Sequence, residues 1–507
     1  MEKNIESAST ATAPEVPLFH WKSYRMYLLF ILMITFGITS CNSMNLGITL
    51  TCMVDARFYE KENVVTTSEE CPGSVENRTD LGYTGNLQWT PFAQSQLFAV
   101  FFWTNLFTML VSGSLSDRFN AKYLVLAAIT TFSVLSLLSP LLVSIHYYAF
   151  LVSRGLMGIC ESFTFPCMTT IVAHWIPPNE RSTAAAIYTS GHQLASLVAV
   201  LVSSKLCLFN FLGGWPLVFY FFGICGAFAA AIVVTLVSNR PEESRLISQK
   251  ELNYVHEQLE NEGLKKKHEK KMPVPWRSIF TSPVVHAIMA AEFSYQFSTS
   301  IFINYLPSFF RDVMAFDVQD NGVYTALPFI VQIIAKFAVS ITIDKLRILY
   351  GINVSTSCKV LQTISSIGTA CVFISMGLFL DCTQVMLAKI LVVLFGVFFA
   401  GEIAGAFTAT LYIAPSFTGT ISSITASVGS VAGILCPTVI GIINKHGTRQ
   451  EWSHVFFCGA AVNIITGLIF LIFGSAKLQP WAVEQESKSK VYQLDGNDIT
   501  KKITEKS

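Results

Sequence analysis

The feature that most constrains this chain is a repeated pattern of apolar runs, each about 20 residues or longer, separated by polar and charged loops. Only 13% of its residues are charged, against about 25% in a typical soluble domain. A run of this kind predicts a helix that crosses a bilayer, because a helix satisfies its backbone hydrogen bonds internally. The sequence therefore predicts an all-α polytopic membrane protein with about twelve transmembrane helices.

The apolar runs fall into two groups of six, separated by a longer polar interruption. Predicted spans cover residues 26–54, 92–115, 123–144, 147–173, 182–204, 215–237, 284–306, 321–343, 354–380, 384–412, 419–443 and 452–473. They predict an N-terminal half over 26–238, which includes a polar loop at 55–91, and a C-terminal half over 284–475. The remaining segments are a tail at 1–25, a charged central loop at 239–283 that we expect to be solvated, and a tail at 476–507.

The distribution of Lys and Arg predicts the orientation. Both tails, the central loop and the loops after spans two, four and eight fall on one side and carry most of the basic residues, so that side is predicted to be cytosolic. The loop at 55–91 then faces the outside or a lumen, where the sequon Asn77-Arg78-Thr79 predicts glycosylation at Asn77. The plasma membrane and a lysosomal or vesicular membrane both remain open as locations.

An internal repeat supports two pseudo-symmetric halves. Gly113 and Asp117-Arg118 lie between spans two and three, and Ser340 and Asp344-Lys345 lie between spans eight and nine. The offset is 227 residues for both ends, from 113 to 340 and from 117 to 344. A loop Asp can accept hydrogen bonds from a helix N-terminus and pair with a cation, which would hold one conformation closed. We therefore predict gating roles for Gly113, Asp117, Arg118, Asp344 and Lys345.

Span four carries two charges at a depth where charges are costly. A helix places Arg154 and Glu161 on one face, roughly 10 Å apart along its axis. Charges at such depth usually mark a solute or proton pathway. A guanidinium can bind a carboxylate or phosphate through two hydrogen bonds, and a buried carboxyl group can change protonation between two faces. We predict Arg154 as an anion-binding group and Glu161 as a proton-coupling group; the alternative is an ion pair that only joins span four to a neighbouring helix.

Four further polar residues lie within predicted spans. Glu292, Lys336 and Glu402 are predicted at similar depth, so Lys336 could pair with either carboxylate and form a second anion or proton site. The alternative for Lys336 is a side chain that extends to the interface. His192 in span five is a candidate proton carrier, and the alternative is a hydrogen-bonded polar residue inside the bundle. We group Lys336 with substrate binding and the other three with proton coupling.

Several classes of site are not indicated. The chain has no P-loop, no dinucleotide-binding glycine pattern and no Cys/His cluster with metal-ligand spacing. Its twelve Cys do not suggest a disulfide framework, because most of them lie within predicted spans. We therefore expect no metal, no cofactor and no enzymatic activity. The expected partners are the lipid bilayer and a small anionic solute, without nucleic acid, and the protein is expected to be monomeric.

These motifs resemble a superfamily of transporters and, within it, one family. The Gly-x-x-x-Asp-Arg loop and the two six-helix halves resemble the major facilitator transporters. Within them, the chain resembles the anion:cation symporter family, which contains the type I sodium–phosphate cotransporters, sialin and the vesicular glutamate transporters. The segments that carry this resemblance include Asn45-Leu46-Gly47, LQWTP at 87–91, ESFTFP at 161–166, WIPPNERS at 175–182 and VPWRSIFTSP at 274–283.

The resemblance implies secondary transport of an anion, driven by protons, sodium or membrane potential, with Arg154 and Glu161 matching the family's pair in helix four. At some positions this sequence has a different residue from the glutamate and sialic-acid carriers, and these differences affect which solute is expected. Ser43 stands where glutamate and sialic-acid carriers have an Arg, two positions before Asn45, and both residues are expected to contact substrate. Ala426 replaces an Asn of span eleven.

The sequence therefore predicts a secondary active transporter of an organic or inorganic anion that works by alternating access, with H⁺ or Na⁺ as coupling ion. One alternative is a sodium-coupled phosphate carrier. Another is a relative that no longer transports and serves as a membrane receptor or scaffold; the departures at Ser43 and Ala426 make this conceivable, and the retained Arg154 and Glu161 argue against it.

Overall fold

The computed structural model of the protein describes residues 18–21, 23–55, 85–177, 180–209, 213–268, 274–414 and 417–482. Within these ranges the backbone is helical apart from connecting segments and an isolated bridge between Val54 and Leu87. The prediction of an all-α protein is confirmed.

Six long helices, α1 to α6, form the N-terminal half. We call the end of the bundle where α1 begins the terminal face, and the opposite end the far face. The bounds are Tyr24–Met44 with Leu46–Met53 for α1, Pro91–Arg118 for α2, Ala121–Ile145 for α3, Tyr147–Trp175 for α4, Arg181–Cys207 for α5 and Trp215–Leu236 for α6.

Six further helices, α7 to α12, form the C-terminal half. Two of them contain a π-helical turn, at Ile301–Tyr305 in α7 and at Ile403–Phe407 in α10. The bounds are Pro283–Ser300 with Leu306–Asp312 for α7, Val318–Tyr350 for α8, Val354–Phe379 for α9, Val385–Glu402 with Thr408–Ile413 for α10, Thr418–Ile443 for α11 and Arg449–Phe473 for α12.

Two helices of the C-terminal half depart from regular α-helical geometry. Both α7 and α10 contain a π-helical turn, and such turns often lie at functional sites. In the N-terminal half, α1 continues through Asn45, which has helical dihedral angles and donates its N–H to the Cys41 carbonyl oxygen. Internal Pro residues lie in α3, α4, α8 and α11.

Polar residues before the apolar runs determine where many helices begin. The Thr90 hydroxyl accepts a hydrogen bond from Ala93 N (3.3 Å), with Pro91 at the first helical position of α2. Asn120 caps α3 and Asn353 caps α9, each through its side-chain oxygen. These caps satisfy backbone N–H groups that have no partner inside the helix.

Nine of the described helices are long and apolar enough to cross a membrane by length and composition alone. The helices outside this set are α2, α5 and α7. The bundle therefore agrees with the predicted two groups of six helices.

The central loop differs from the expected solvated segment, because it contains a helix, Gln249–His268, that is docked on the N-terminal half. We call this segment the loop helix. Its Glu251 is fully buried and accepts hydrogen bonds from Ser23 Oγ (2.9 Å) and Arg25 Nε (2.9 Å). Arg25 also pairs with Glu180 at the start of α5 and lies over the Tyr254 ring at 5.1 Å. This buried ion network fixes the loop helix to the base of α1.

The expectation that the Cys residues form no disulfides is wrong. Cys52, at the end of α1, is bonded to Cys207, at the end of α5, and Cys382 is also disulfide-bonded. Both ends of the first bond lie at the far face, which is the side predicted to face the outside or a lumen, where disulfides persist. The bond joins α1 to α5 within one half.

Among the described side chains, the buried core is continuous across the two halves towards the far face. One cluster of buried side chains includes residues from both halves, such as Leu46 and Leu97 of the N-terminal half and Phe302 and Ile440 of the C-terminal half. Towards the terminal face, one cluster belongs to α1 and α3–α6 and another to the C-terminal half. The halves therefore pack together at the far face, and each has its own core near the terminal face.

Close backbone contact accompanies this packing. A Cβ atom at Gly47 of α1 would lie 2.4 Å from the carbonyl oxygen of Ile303 in α7. Across the same boundary the Tyr305 hydroxyl donates to Ser95 Oγ (3.1 Å), and Arg311 Nη1 donates to the carbonyl oxygen of Thr51 (3.4 Å). This conformation is closed at the far face.

Candidate functional site

Arg154 lies inside the N-terminal half and is 1% exposed. Its helix α4 approaches α2 closely because Gly158 has no side chain; a Cβ there would lie 2.2 Å from the Phe101 carbonyl oxygen. The guanidinium lies over the Phe101 ring at 5.2 Å, and Nη2 donates to the Ser43 carbonyl oxygen (3.3 Å). Backbone and ring groups therefore hold the cation between α1, α2 and α4.

No carboxylate among the described residues forms a salt bridge with Arg154. Its Nε is buried and has no hydrogen-bond partner, and the same is true of Glu161 Oε2. The alternative of an ion pair that only joins α4 to a neighbouring helix is not seen among the described residues, and the charge that interacts electrostatically with Arg154 is Glu161 of the same helix. A buried charge without a salt-bridge partner is costly, so an anion that pairs with this guanidinium would gain a strong interaction.

Two predicted residues lie two positions apart in α1. Ser43 contacts Arg154 through its carbonyl oxygen, while its hydroxyl donates to the Ser40 carbonyl oxygen (3.0 Å). Asn45 is fully buried, and neither its amide nitrogen nor its amide oxygen has a partner within the described chain. Asn45 thus keeps a donor and an acceptor unused in the interior of α1.

His192 has a polar partner within the bundle. Its Nδ1 is 2.9 Å from Ser40 Oγ, and its ring stacks on Phe36 with a centroid distance of 5.4 Å. This hydrogen bond links α5 to α1. It is the arrangement that we gave as the alternative for His192, a hydrogen-bonded polar residue inside the bundle. A role of His192 in proton coupling remains a prediction.

In the C-terminal half, Glu402 is 7% exposed and lies where α10 enters its π-helical turn. Gln362 Nε2 donates to Glu402 Oε1 (3.3 Å), and Gln362 Oε1 accepts from Ala406 N in the same turn (3.0 Å). Glu292 of α7 is close enough to Glu402 for electrostatic interaction, and Tyr295 lies beside both carboxylates. The structure therefore brings Glu292 and Glu402 together.

Lys336 does not join these carboxylates in this conformation. It is partly buried in α8, and among the residues that the structure describes it forms no ion pair with Glu292 or Glu402. A second site made of all three residues remains a prediction for another conformation.

The predicted gating residues are placed only in part. Gly113, Asp117 and Arg118 lie in the last turns of α2, and Asp344 lies in α8, but their side chains are outside what the structure describes. Lys345 is exposed in α8. Asn77 falls outside the described residues.

The residues that close the far face were not predicted from sequence. They include Gly47, Ser95 and Tyr305, together with the buried ion pair between Arg311 Nε and Asp312 Oδ1 (2.8 Å). Nearer the middle of the bundle, Ser430 Oγ is 3.5 Å from Asn105 Oδ1 across the same boundary. A single Ser or Tyr in an apolar helix does not indicate a contact between the halves, because the partner is known only once both halves are packed together.

The described residues contain no group of His, Cys, Asp and Glu that could hold a metal ion. The candidate residues are a guanidinium, an amide and a carboxyl group in the N-terminal half and two carboxyl groups in the C-terminal half. Such groups can bind an anion and exchange protons.

Comparison with known proteins identifies the family. Residues 28–437 match the family described as the Major Facilitator Superfamily. The chain belongs to this superfamily. The match covers most of both halves, so the predicted fold and the twofold architecture are confirmed.

The relatives are transporters, and each match covers most of both chains. The chain is 29% identical to an uncharacterized transporter of Caenorhabditis elegans, slc-17.3, covering 94% of this chain and 92% of the relative. It is 29% identical to human sialin, covering 91% of each, and 27% identical to vesicular glutamate transporter 3 of Danio rerio, covering 85% and 72%. The resemblance to this branch of the superfamily is confirmed, and so is the expectation of a multi-pass membrane transporter rather than an enzyme.

Solved structures show the same fold. A bacterial homologue of the human lysosomal transporter Spinster, in an inward-facing and unoccupied conformation, matches with a TM-score of 0.65 at 15% identity. The match covers 91% of this chain and 100% of that one. At this identity the likeness concerns the arrangement of helices.

Proposed function

We propose that the protein is a secondary active transporter of a small organic anion, with Arg154 as the cation that binds the solute. The single observation that carries this proposal is the buried guanidinium of Arg154, whose Nε has no partner and which forms no salt bridge with a described carboxylate, while Glu161 interacts with it electrostatically from further along α4. A guanidinium offers a planar set of N–H donors that matches a carboxylate or phosphate.

The environment of Arg154 supports this assignment. Nη2 is held by the Ser43 carbonyl oxygen, and the Phe101 ring supports one face of the guanidinium, so the cation is oriented before a solute arrives. Asn45, with both amide atoms unused, follows Ser43 by two positions in α1 and would supply a further donor and acceptor to the solute. Preorganised groups of this kind bind with a smaller entropic cost.

Glu161 is the proposed coupling group. It follows Arg154 by two turns of α4, and its buried Oε2 has no partner in the described residues. Protonation removes the cost of a buried negative charge, and deprotonation restores it when the site faces a different side. Proton binding at Glu161 would therefore depend on the same conformational change that moves the solute.

Alternating access would use the arrangement of the halves. The present conformation is closed at the far face and has separate cores near the terminal face. Rocking of the halves would open the far face and bring the terminal ends together, with Asp117, Arg118, Asp344 and Lys345 as the proposed gate there. We place both termini in the cytosol, on the basis of the positive-inside rule.

The experiment is uptake into proteoliposomes with imposed pH, sodium or voltage gradients. The labelled solutes are aspartate, glutamate, sialic acid, glucuronate, urate, nucleotides and inorganic phosphate. We expect one class of organic anion to be taken up, and Arg154→Lys to reduce this uptake strongly, since Lys keeps the charge but loses the planar pair of donors. The matched control is Arg277→Gln, which removes an exposed Arg at the terminal face and should leave uptake unchanged.

The outcomes separate the alternatives. Sodium-dependent uptake of phosphate alone would replace the proposal by a sodium-coupled phosphate carrier. Absence of gradient-dependent uptake of any of these solutes by folded protein would favour a receptor or scaffold. Full activity of Arg154→Lys would show that Arg154 does not bind the solute.

A further inference from the structure

Two adjacent rings of α2 lie between the interior site and the C-terminal half. By the interior site we mean Arg154 with its contacts from α1, α2 and α4. Phe101 is 7% exposed, and the Arg154 guanidinium lies over its ring at 5.2 Å. The Phe102 ring meets the Phe101 ring edge to face, with a centroid distance of 5.6 Å and an interplanar angle of 84°. Phe102 is thus one ring removed from the cation.

Phe102 also packs against α11 of the C-terminal half. A Cβ at Gly433 would lie 2.6 Å from Phe102 Cδ1 and 2.8 Å from Phe102 Cε1, distances that real Cβ contacts do not show. The ring therefore occupies a notch in α11 that exists because residue 433 is Gly. The notch fixes the position of Phe102 while the two helices are in contact.

This contact is part of a longer seam between α2 and α11. Nearer the far face, a Cβ at Gly441 would lie 2.8 Å from the Ser95 Cβ. Nearer the middle of the bundle, Ser430 Oγ is 3.5 Å from Asn105 Oδ1. Gly433 lies between these two contacts along α11. The seam belongs to the conformation that is closed at the far face, because rocking of the halves would separate α2 from α11 on that side.

Closure of the far face therefore makes three contacts at once: cation with ring, ring with ring, and ring with notch. When α11 withdraws, Phe102 loses its contact with Gly433, and the Phe101 ring loses a neighbour that was itself held in place. A ring attracts a cation while the cation stays over its face, within about 6 Å of the centroid. Support of Arg154 by Phe101 is thus linked to closure of the far face.

We infer that Phe102 is a positioning residue that couples the interior site to the packing of the two halves. It holds the Phe101 ring against the Arg154 guanidinium while Gly433 of the other half holds Phe102. The cation is then better oriented for an anion when the far face is closed, and by reciprocity a bound anion favours closure. The role in transport rests on the proposed function, because it assigns the coupling to the anion that Arg154 binds.

The test is a double-mutant cycle on the ratio of open to closed protein. This ratio is measured without solute in lipid nanodiscs, from distance distributions between spin labels on the two halves. Arg154→Gln removes the cation over the ring and should raise the ratio. The increase should be about 2- to 5-fold larger with Phe102 present than in a Phe102→Leu background, because the strength of the cation–ring contact depends on Phe102.

The matched control is a Phe98→Leu background. Phe98 lies one turn earlier in α2, is 3% exposed, and packs against Tyr305 of the other half with ring centroids 5.5 Å apart. This variant removes a similar ring from the boundary and should leave the full effect of Arg154→Gln. An effect of equal size in the wild-type and Phe102→Leu backgrounds, or an equal loss of the effect in Phe98→Leu, would overturn the inference.

Gly433→Ala tests the same contact without changing either ring. The added methyl group should displace Phe102 from the notch and reduce the effect of Arg154→Gln as Phe102→Leu does. An effect that survives Gly433→Ala at full size would also overturn the inference.

Uptake separates this inference from the proposed function. If uptake depends on Arg154 while the double-mutant cycle shows no coupling, the inference fails and the proposed function stands. If the cycle shows coupling while uptake is insensitive to Arg154, the proposed function fails and the positioning role of Phe102 stands.

Discussion

Replacing Gly47 by Ala should shift the protein away from the conformation that is closed at the far face. The added Cβ would lie 2.4 Å from the carbonyl oxygen of Ile303, whereas ordinary contacts begin at 3.4 Å. The two backbones would have to separate by about 1 Å, which packed helices do not absorb without loss of contacts. Because Gly47 and Ile303 belong to different halves, this cost applies only when the far face is closed.

The size of the shift follows from the cost of overpacking. Insertion of one methyl group into a packed contact typically costs about 1–3 kcal/mol. A cost of this size, paid by one of two conformations, changes their ratio by about 5- to 150-fold. We therefore expect the population open at the far face to rise by a factor within this range.

A cysteine at position 95 would report this population. Ser95 is 1% exposed and lies at the boundary, so in a Ser95→Cys background a maleimide should react only when the far face opens. The rate in lipid nanodiscs should rise about 5- to 150-fold with Gly47→Ala. Gly223→Ala is the matched control, because its Cβ would lie 2.7 Å from Leu137 within the N-terminal half. Equal rates for Gly47→Ala and its parent, or an equal rise for Gly223→Ala, would refute the reasoning.

Three further perturbations test other parts of the account. Tyr305→Phe removes the 3.1 Å hydrogen bond across the far face, worth about 0.5–1.5 kcal/mol, and should raise the population open at the far face a few-fold; this population is measured with Ser95 in place, from the distance distribution between spin labels on the two halves, and an unchanged or lower population would contradict this. Glu161→Gln should abolish uptake driven by a pH gradient while exchange of labelled for unlabelled solute continues, and full pH-driven uptake would exclude Glu161 as the coupling group. Glu251→Gln replaces one of the two carboxylates that pair with the buried Arg25 while Glu180 remains, and should destabilise the protein by about 1–3 kcal/mol, measured as a lower Tm; an unchanged Tm would mean that the Glu251 charge adds no stability.

The helices and the central charges of the site were predictable from sequence because both follow from local rules. A long apolar run predicts a membrane helix whatever surrounds it, and a charge inside such a run is exceptional enough to be recognised without its partners. Arg154 and Glu161 were found in this way. The surroundings of Arg154 were not predictable, since the Phe101 ring and the Ser43 carbonyl oxygen that contact it come from other helices.

The features that sequence reasoning missed depend on contacts between distant segments. Cys52 and Cys207 are separated by 155 positions, and nothing in either apolar run indicates the other. The loop helix is rich in charged residues, so its composition resembles a solvated loop, and only the burial of Glu251 against Arg25 shows that it is docked. The role of Gly47 likewise depends on the π-helical turn of α7.

The most direct test of the central claim is the equilibrium binding of the transported anion to purified wild-type protein and to Arg154→Lys. Direct binding is preferable to uptake because transport can fail for reasons unrelated to solute recognition. We predict that Arg154→Lys weakens binding at the interior site about tenfold or more, since Lys cannot reproduce the planar pair of donors, while Arg277→Gln binds as wild type does. Equal affinity of wild type and Arg154→Lys for the anion would contradict the assignment of Arg154 as the cation that binds the solute.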